Sequence, residues 1–390
     1  PFDNLASHVL GFVGYKDDKL VGRYGLELYY EQMLKRDVSD SKTNSFAELF
    51  FDLKKLIAGE ITSGDIVLTI EPNVQSMLEK SLEKTKEKYK AQTVGGMIIS
   101  PKTGEIIAMS AKPDFNPNQY AKTKDFSIFM NPLVESVIEM GSIMKPLTLA
   151  ASMDNGSITA STTYTDNGFL AFGPSRIENY DGKARGKADM QRVLNESLNT
   201  GAVFAMQKMG KDKFKDYMLG YGFGEKTGIE LPQEAKSNIS NITGGNRDIE
   251  YATASFGQGT AITPIAMTTA LSTLANGGLL MKPHIVKEES IKGLRNRVAS
   301  PQEVRRVLKK ETAEEITRML VNVVDNALVE GAYKMKQYSV AAKTGTAQLV
   351  EKGKKTYAEG EFIHTFFGYA PAYDAKFLTF LFIVKPQGAQ

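Results

Sequence analysis

The sequence predicts an α+β fold: an antiparallel sheet of about five strands flanked by helices, behind a small N-terminal segment. Three observations carry that reading. Two β runs stand early in the chain and three stand at its end, with a mostly helical stretch between them, so the first pair must meet the last three in one sheet. At 390 residues the chain exceeds one ordinary core, and its character changes near residue 62, which divides it into 1–62 and 63–390. Its 42% hydrophobic and 24% charged content is that of a globular protein.

The elements follow in order. Residues 1–62 are polar and aromatic-rich, with Val21-Gly22-Arg23-Tyr24-Gly25-Leu26-Glu27 before an apolar-periodic stretch around Leu28 and Met33. Phe46, Leu49, Phe50, Leu53, Leu56 and Ile57 repeat at helical spacing, and Gly59 would stop that helix. This segment has too little apolar surface for a core of its own, so it is expected to be dispensable for chemistry. Asp65–Ile70 reads as a strand, and Val74, Met77, Leu78 and Leu82 mark a charged amphipathic helix reaching about Lys90. Gly96–Ile99 and Glu105–Met109 flank the turn residues Ser100-Pro101-Lys102-Thr103-Gly104, which makes a hairpin. The middle reads as helices with Gly-rich loops at 219–228 and 255–259. Ile316, Met319, Leu320, Val323, Val324 and Leu328 form a late helix, and Tyr338–Ala347, Phe362–Tyr369 and Phe377–Val384 close the chain as strands.

Composition excludes several function classes. A net charge of +3, with basic residues spread along the chain, makes no case for nucleic acid. The absence of cysteine removes thiol catalysis, disulfides and cysteine zinc sites. His8, His284 and His364 lie far apart and in no metal spacing, so neither metal nor cofactor is expected. No run approaches the roughly 20 apolar residues of a membrane span. The chain opens at Pro1 without methionine or a signal-like stretch, which reads as a piece trimmed of something N-terminal.

Three short motifs carry the chemistry: Ser142-Ile143-Met144-Lys145, Ser197-Leu198-Asn199 and Lys343-Thr344-Gly345-Thr346. They supply a nucleophile, a base at i+3, a polar relay and a cationic strand edge suited to a carboxylate, which is a kit for acyl transfer through a serine ester. Each motif alone is weak. Ser-x-x-Lys also occurs at Ser39–Lys42 and Ser81–Lys84, and Lys-Thr-Gly also occurs at Lys102–Gly104 and Lys226–Gly228. Context chooses among the copies. Ser39 lies in a polar stretch, Ser81 on a charged helix, Lys102 in a hairpin turn and Lys226 in a Gly-rich loop. Ser142 instead follows Gly141 and begins an apolar segment that reads as the first turn of a buried helix, where free N–H groups and the helix dipole favour an oxyanion. Burial would lower the pKa of Lys145, as a proton acceptor requires. Ser197 and Asn199 fall between two helices, where they read either as capping residues or as a relay hydroxyl and an amide that holds substrate or Lys145. Lys343 lies in a strand, where Lys343 and Thr344 suit a carboxylate, Gly345 would let a peptide backbone approach, and a backbone N–H beyond the glycine could help form an oxyanion hole.

At these residues the chain resembles the penicillin-binding proteins, and among them the class B transpeptidases. The likeness extends to Gly104–Met109 with Pro113 and Asn116-Pro117-Asn118, to Ser255–Gly259 with Thr263-Pro264, and to His364–Pro371. Gly22–Glu27 is similar to the class B N-terminal pedestal signature, which makes 1–62 a shortened pedestal or dimerisation-type segment before a transpeptidase domain at 63–390. The resemblance implies the serine β-lactamase and penicillin-binding transpeptidase fold. It implies that Ser142 attacks the penultimate D-Ala carbonyl of a peptidoglycan stem peptide, with Lys145 as base and Ser197 as relay. The N–H groups of Ser142 and Thr346 would hold the oxyanion. Asn199 would bind the substrate amide, and Lys343, Thr344 and Thr346 its carboxylate. β-Lactam antibiotics would acylate Ser142. A membrane glycosyltransferase partner and an N-terminal membrane anchor, with the catalytic domain outside, are also implied. Glu139-x-Gly141-Ser142 favours a division-type over an elongation-type protein. Two positions depart from the family pattern: Met140 where proline is usual, and Ala342 where glycine is common. The rival readings are a D,D-carboxypeptidase, a serine β-lactamase, and a non-enzymatic β-lactam sensor or divisome scaffold.

Overall fold

The computed structural model describes residues 3–35, 63–291, 296–350 and 357–388. Five strands form one antiparallel sheet: β1 (Thr93–Ile99), β2 (Ile106–Lys112), β3 (Ala341–Val350), β4 (Tyr357–Ala370) and β5 (Phe377–Val384). Their order is β3-β4-β5-β1-β2. The early pair therefore meets the closing three, as the sequence predicts, along a β5–β1 seam running from Leu378 opposite Ile99 to Val384 opposite Thr93.

Side chains alternate across a strand, so the register sorts them into rows. Lys343, Phe367, Phe380, Met97 and Met109 lie opposite one another across all five strands. All five are buried. Lys343 is thus the edge member of a row whose other members are core, and that placement buries its stem. The next row, which includes Thr344, Phe366 and Leu381, points to the other face.

Helix α1 (Pro72–Tyr89) lies on one face, where Leu78 and Leu82 pack with Val94 and Ala108. It starts with proline in its first turn and ends with Lys90 in the left-handed region, φ 46°. Helices α2 (Lys145–Asp154), α3 (Asn199–Met209), α4 (Pro264–Ala275) and α5 (Lys310–Asn322) share the main core with Met97, Met109, Phe367 and Phe380. Helix α4 is buried on every side, from Pro264 to Leu274, as suits a stretch that is apolar all round. Thr263 caps it by accepting from Ala266 N–H at 3.3 Å.

Several elements differ from the sequence reading. The strand carrying Lys343 begins at Ala341, not Tyr338. The late helix ends at Asn322 and passes into a π-turn, Val323–Ala327. The middle is not only helical. Thr163–Asp166 pairs with Gly186–Asp189, and Phe169–Phe172 with Ser175–Glu178. These four-residue strands are short and largely exposed, and only Phe169–Phe172 carries an apolar run. Gly64–Leu68 is a strand, but it pairs with Val286–Ile291 outside the main sheet. The helix expected over Phe46–Ile57 lies outside the described residues, as does Ser39–Lys42.

Residues 3–35 are not a separate body. Ala6, Val9 and Leu26 join the main core. The Phe12 ring stacks on Tyr120 with centroids 4.4 Å apart and meets Phe115 and Phe129 edge-on. A segment with too little core of its own has borrowed one.

Candidate active site

The site is built where a tight turn meets the edge of the sheet. Gly141–Met144 is one 3₁₀ turn that runs directly into α2, so Ser142 precedes the α-helix that the sequence had it begin. Pro146 explains the boundary: it lacks an N–H and is tolerated only in a helix's first turn. In a 3₁₀ turn residues i and i+3 eclipse. Ser142 Oγ and Lys145 Nζ are 2.9 Å apart.

The turn is clamped from three sides. Gly141 N–H donates to Gly257 O at 3.0 Å, Thr365 Oγ1 donates to Met140 O at 2.8 Å, and Ile138 exchanges backbone bonds with Ile262. Gly141 has φ 59°, and a Cβ there would collide with the Thr346 carbonyl. Gly345 comes equally close: a Cβ would strike Thr365 Oγ1 and lie 2.9 Å from Met140 O and 3.0 Å from Ile143 N. The approach that Gly345 permits is therefore to the protein's own turn, which corrects the expectation that its missing side chain makes room for a substrate backbone.

Lys145 is fully buried. Besides Ser142, its Nζ donates to Ser197 O at 2.5 Å and lies 3.1 Å from Ser197 Oγ. Burial, and then the charge of Lys343, hold its pKa well below the ordinary lysine value. Ser197 carries φ 55°, a left-handed conformation uncommon outside glycine, which presents both of its oxygens to the lysines. Lys343 is 3% exposed. Its Nζ donates to Ser197 Oγ at 3.1 Å and to Thr344 O at 3.0 Å, and burial lowers its pKa to about 8.

Ser142, Lys145, Ser197 and Lys343 thus come together from three distant stretches of chain. Thr344 and Thr346 are exposed on the sheet edge beside them. Asn199 does not join the lysines: its Nδ2 donates to Glu178 O at 2.7 Å, so the expected contact with Lys145 is absent. Its backbone is held through Thr200, whose Oγ1 donates to buried Asp166 at 2.7 Å. Asp166 also accepts from Gly168 N–H, Arg185 N–H and Asn179 Nδ2.

Four supporting residues received no role at the site from the sequence. Thr365 and His364 carry no motif of their own and follow only from the strand register opposite Gly345 and Thr346. Glu139 accepts from Gly259 N–H at 2.9 Å and from Tyr357 OH at 3.2 Å. Asp166 sits in a hairpin that was not foreseen. The rejected motif copies have ordinary partners: Ser81 Oγ donates to Met77 O on an exposed helix face, Lys102 pairs with Asp374, and Thr227 donates to Glu234.

This sheet, with a half-buried serine beside a buried lysine at its edge, is the architecture of penicillin-binding transpeptidase domains, and the chain belongs to that family. The family model for the penicillin-binding protein transpeptidase domain matches residues 94–390. Its relatives set it in class B. It is similar to stage V sporulation protein D of Bacillus subtilis, 33% identical over 399 residues, covering 100% of this chain and 60% of that protein. It is also similar to the probable peptidoglycan D,D-transpeptidase PenA of Neisseria gonorrhoeae, 27% identical over 392 residues, covering 99% of this chain and 64% of that protein. The chain thus spans 60–64% of the length of these two relatives. Penicillin binding protein 3 of Mycobacterium tuberculosis, solved with aztreonam, shares the fold with a TM-score of 0.85 at 24% identity, covering 99% of this chain and 83% of that one. Among the described residues no helix is long and apolar enough to cross a membrane.

Proposed function

We propose that this chain is the catalytic part of a serine-type peptidoglycan D,D-transpeptidase. The observation that carries the reading is a fully buried Lys145 within 2.9 Å of Ser142 Oγ, with Ser197 between it and Lys343. A neutral amine has one lone pair and two N–H bonds. It can take the Ser142 proton while donating to both Ser197 oxygens.

The reaction follows from that geometry. Ser142 Oγ attacks the penultimate D-Ala carbonyl and its proton passes to Lys145. The backbone N–H groups of Ser142 and Thr346 receive the oxyanion, which the close approach of Gly141 to Thr346 favours. The C–N bond breaks, the Ser197 hydroxyl relays a proton to the departing amine, and terminal D-Ala leaves. An amine of a neighbouring stem peptide then attacks the ester, loses its proton to Lys145 and frees Ser142. Lys343, Thr344 and Thr346 hold the terminal carboxylate. Asn199, anchored at Glu178, offers its remaining oxygen to the substrate amide N–H. A β-lactam follows the first half and stops at the ester.

The reading extends to organisation. Residues 63–390 form the transpeptidase domain, and 1–62 a pedestal segment fused to it. Its substrate places the domain outside the cytoplasmic membrane, beside a membrane glycosyltransferase. The Glu139-x-Gly141-Ser142 pattern supports a division-type role.

Mass spectrometry after incubation with a labelled penicillin tests the proposal. A long-lived adduct should map to Ser142 and vanish in Ser142→Ala. An adduct on Ser81, or one that survives in Ser142→Ala, would overturn the assignment.

A further inference from the structure

His364 stands opposite Thr346 in the β3–β4 ladder. Its Nδ1 lies 3.0 Å from Thr346 Oγ1. The reaction above gives this ring no task, yet it touches a hydroxyl that the reaction needs.

A hydroxyl has one proton to give and two lone pairs. If His364 Nδ1 accepts that proton, Thr346 turns only lone pairs toward an arriving carboxylate and repels it. If Nδ1–H donates to Oγ1, the Thr346 proton is free for the anion. The second ring nitrogen decides between these tautomers. Nε2 is buried and has no hydrogen-bond partner among the described residues. The groove around the ring is lined by Leu82, Phe366 and Ile383 and by the hydroxyl residues Ser81 and Thr85, which donate along their own helix and not to Nε2. An N–H buried in such a place without an acceptor is costly, while an unpaired lone pair is better tolerated. Burial also lowers the pKa of the ring, which keeps it neutral.

We propose that His364 is a positioning residue that donates from Nδ1 to Thr346 Oγ1, fixes that hydroxyl as a donor to the substrate's terminal carboxylate, and so helps set carboxylate specificity. This rests on the transpeptidase reading above. The residue touches no substrate; it acts through Thr346.

Two measurements test it. The first compares kcat/KM for an acyl-D-alanyl thioglycolate thioester with its carboxylate free and with that carboxylate methylated. His364→Leu should lower the value for the free acid about tenfold, the effect of one misdirected hydrogen bond to a charged group, with little change for the methyl ester. His364→Asn, whose amide N–H can reach the same oxygen, should recover most of the loss. Equal loss on both substrates would mark a merely structural role and overturn the inference. The second is the ¹⁵N spectrum of histidine-labelled protein, with the His364 signals identified by their loss in His364→Asn. A neutral ring protonated at Nδ1 supports the inference, and protonation at Nε2 alone overturns it. The failures are separable: a wild-type chain that turns over neither thioester defeats the transpeptidase reading, and this inference with it. Turnover with an unchanged acid-to-ester ratio defeats only the role of His364.

Discussion

Lys145 and Lys343 meet at one oxygen: each Nζ lies 3.1 Å from Ser197 Oγ. Both amines are buried, but not alike. Lys145 is lowered by burial and then by the charge of its neighbour, Lys343 by burial alone. The charge of Lys343 thus opposes a second charge on Lys145, which favours a neutral amine beside an ammonium. Two titratable groups separated in this way are how one site holds a base and a cation together.

Removing the proposed base should be decisive. Lys145→Ala is expected to slow penicillin acylation at least about a hundredfold, the usual size of a general-base loss. Lys84→Ala, in the copy of the motif on the exposed face of α1, should match wild type. Stopped-flow or gel-based labelling rates for the two variants check this.

Acylation should also report the Lys343 proton. Below about 8 the ammonium is present and can hold a carboxylate; above it the charge is lost. The acylation rate constant for a carboxylate-bearing penicillin should therefore fall as pH rises through about 8. Loss of the Lys145 proton favours its role as base and adds no loss on that side. In Lys343→Arg, whose guanidinium stays charged in this range, the alkaline fall should disappear, whatever the absolute rate. A pH–rate profile for each protein decides.

Gly141 in the turn and Gly345 in the strand beside it should tolerate nothing larger. Gly141→Ala places a Cβ against the Thr346 carbonyl at φ 59°, and Gly345→Ala drives one into Thr365. Each should cost about 1–3 kcal/mol of stability, as strain and overpacking do, and should slow acylation by parting the turn from the strand. Thermal melts and labelling rates measured together separate the two effects.

Much of this was legible in the sequence, for reasons specific to each residue. Ser142 and Lys145 stood out from their copies by the apolar segment that follows Ser142, and Lys343 by its place in a strand, whereas Ser197 read equally as a helix cap. The β5–β1 seam followed because β runs at both ends of the domain had to share a sheet. What stayed hidden depends on register and on tertiary closeness. Thr365 becomes a clamp only because it faces Gly345 across the ladder, and Asn199 turns to Glu178 because a short, mostly exposed hairpin brings that carbonyl to it. The contact of the N-terminal segment with Phe115 and Phe129 shows only in the packed structure.

That contact gives a further expectation. Deleting residues 1–62 uncovers Phe115 and Phe129, which are 4% and 3% exposed in the whole chain. Re-exposing an aromatic ring costs about 1.5–3 kcal/mol, so the shortened protein should melt earlier. Its folded fraction should still label with penicillin, because the deleted part holds none of the proposed site residues. Melting temperature and labelling stoichiometry on the same sample check both halves.

The strand order has a consequence in time. A ribosome makes Ser142 and Lys145 long before it makes Lys343, and β5, later still, is the strand that joins β1 and β2 to β3 and β4. No nascent chain shorter than β5 can close the sheet, so Ser142 and Lys145 wait for a closed sheet until β5 is made. Such distant pairing is slow to form and leaves β1 and β2 waiting with an open edge. Chaperoning, or a delay in folding until β5 is made, is thus a demand written into the topology itself.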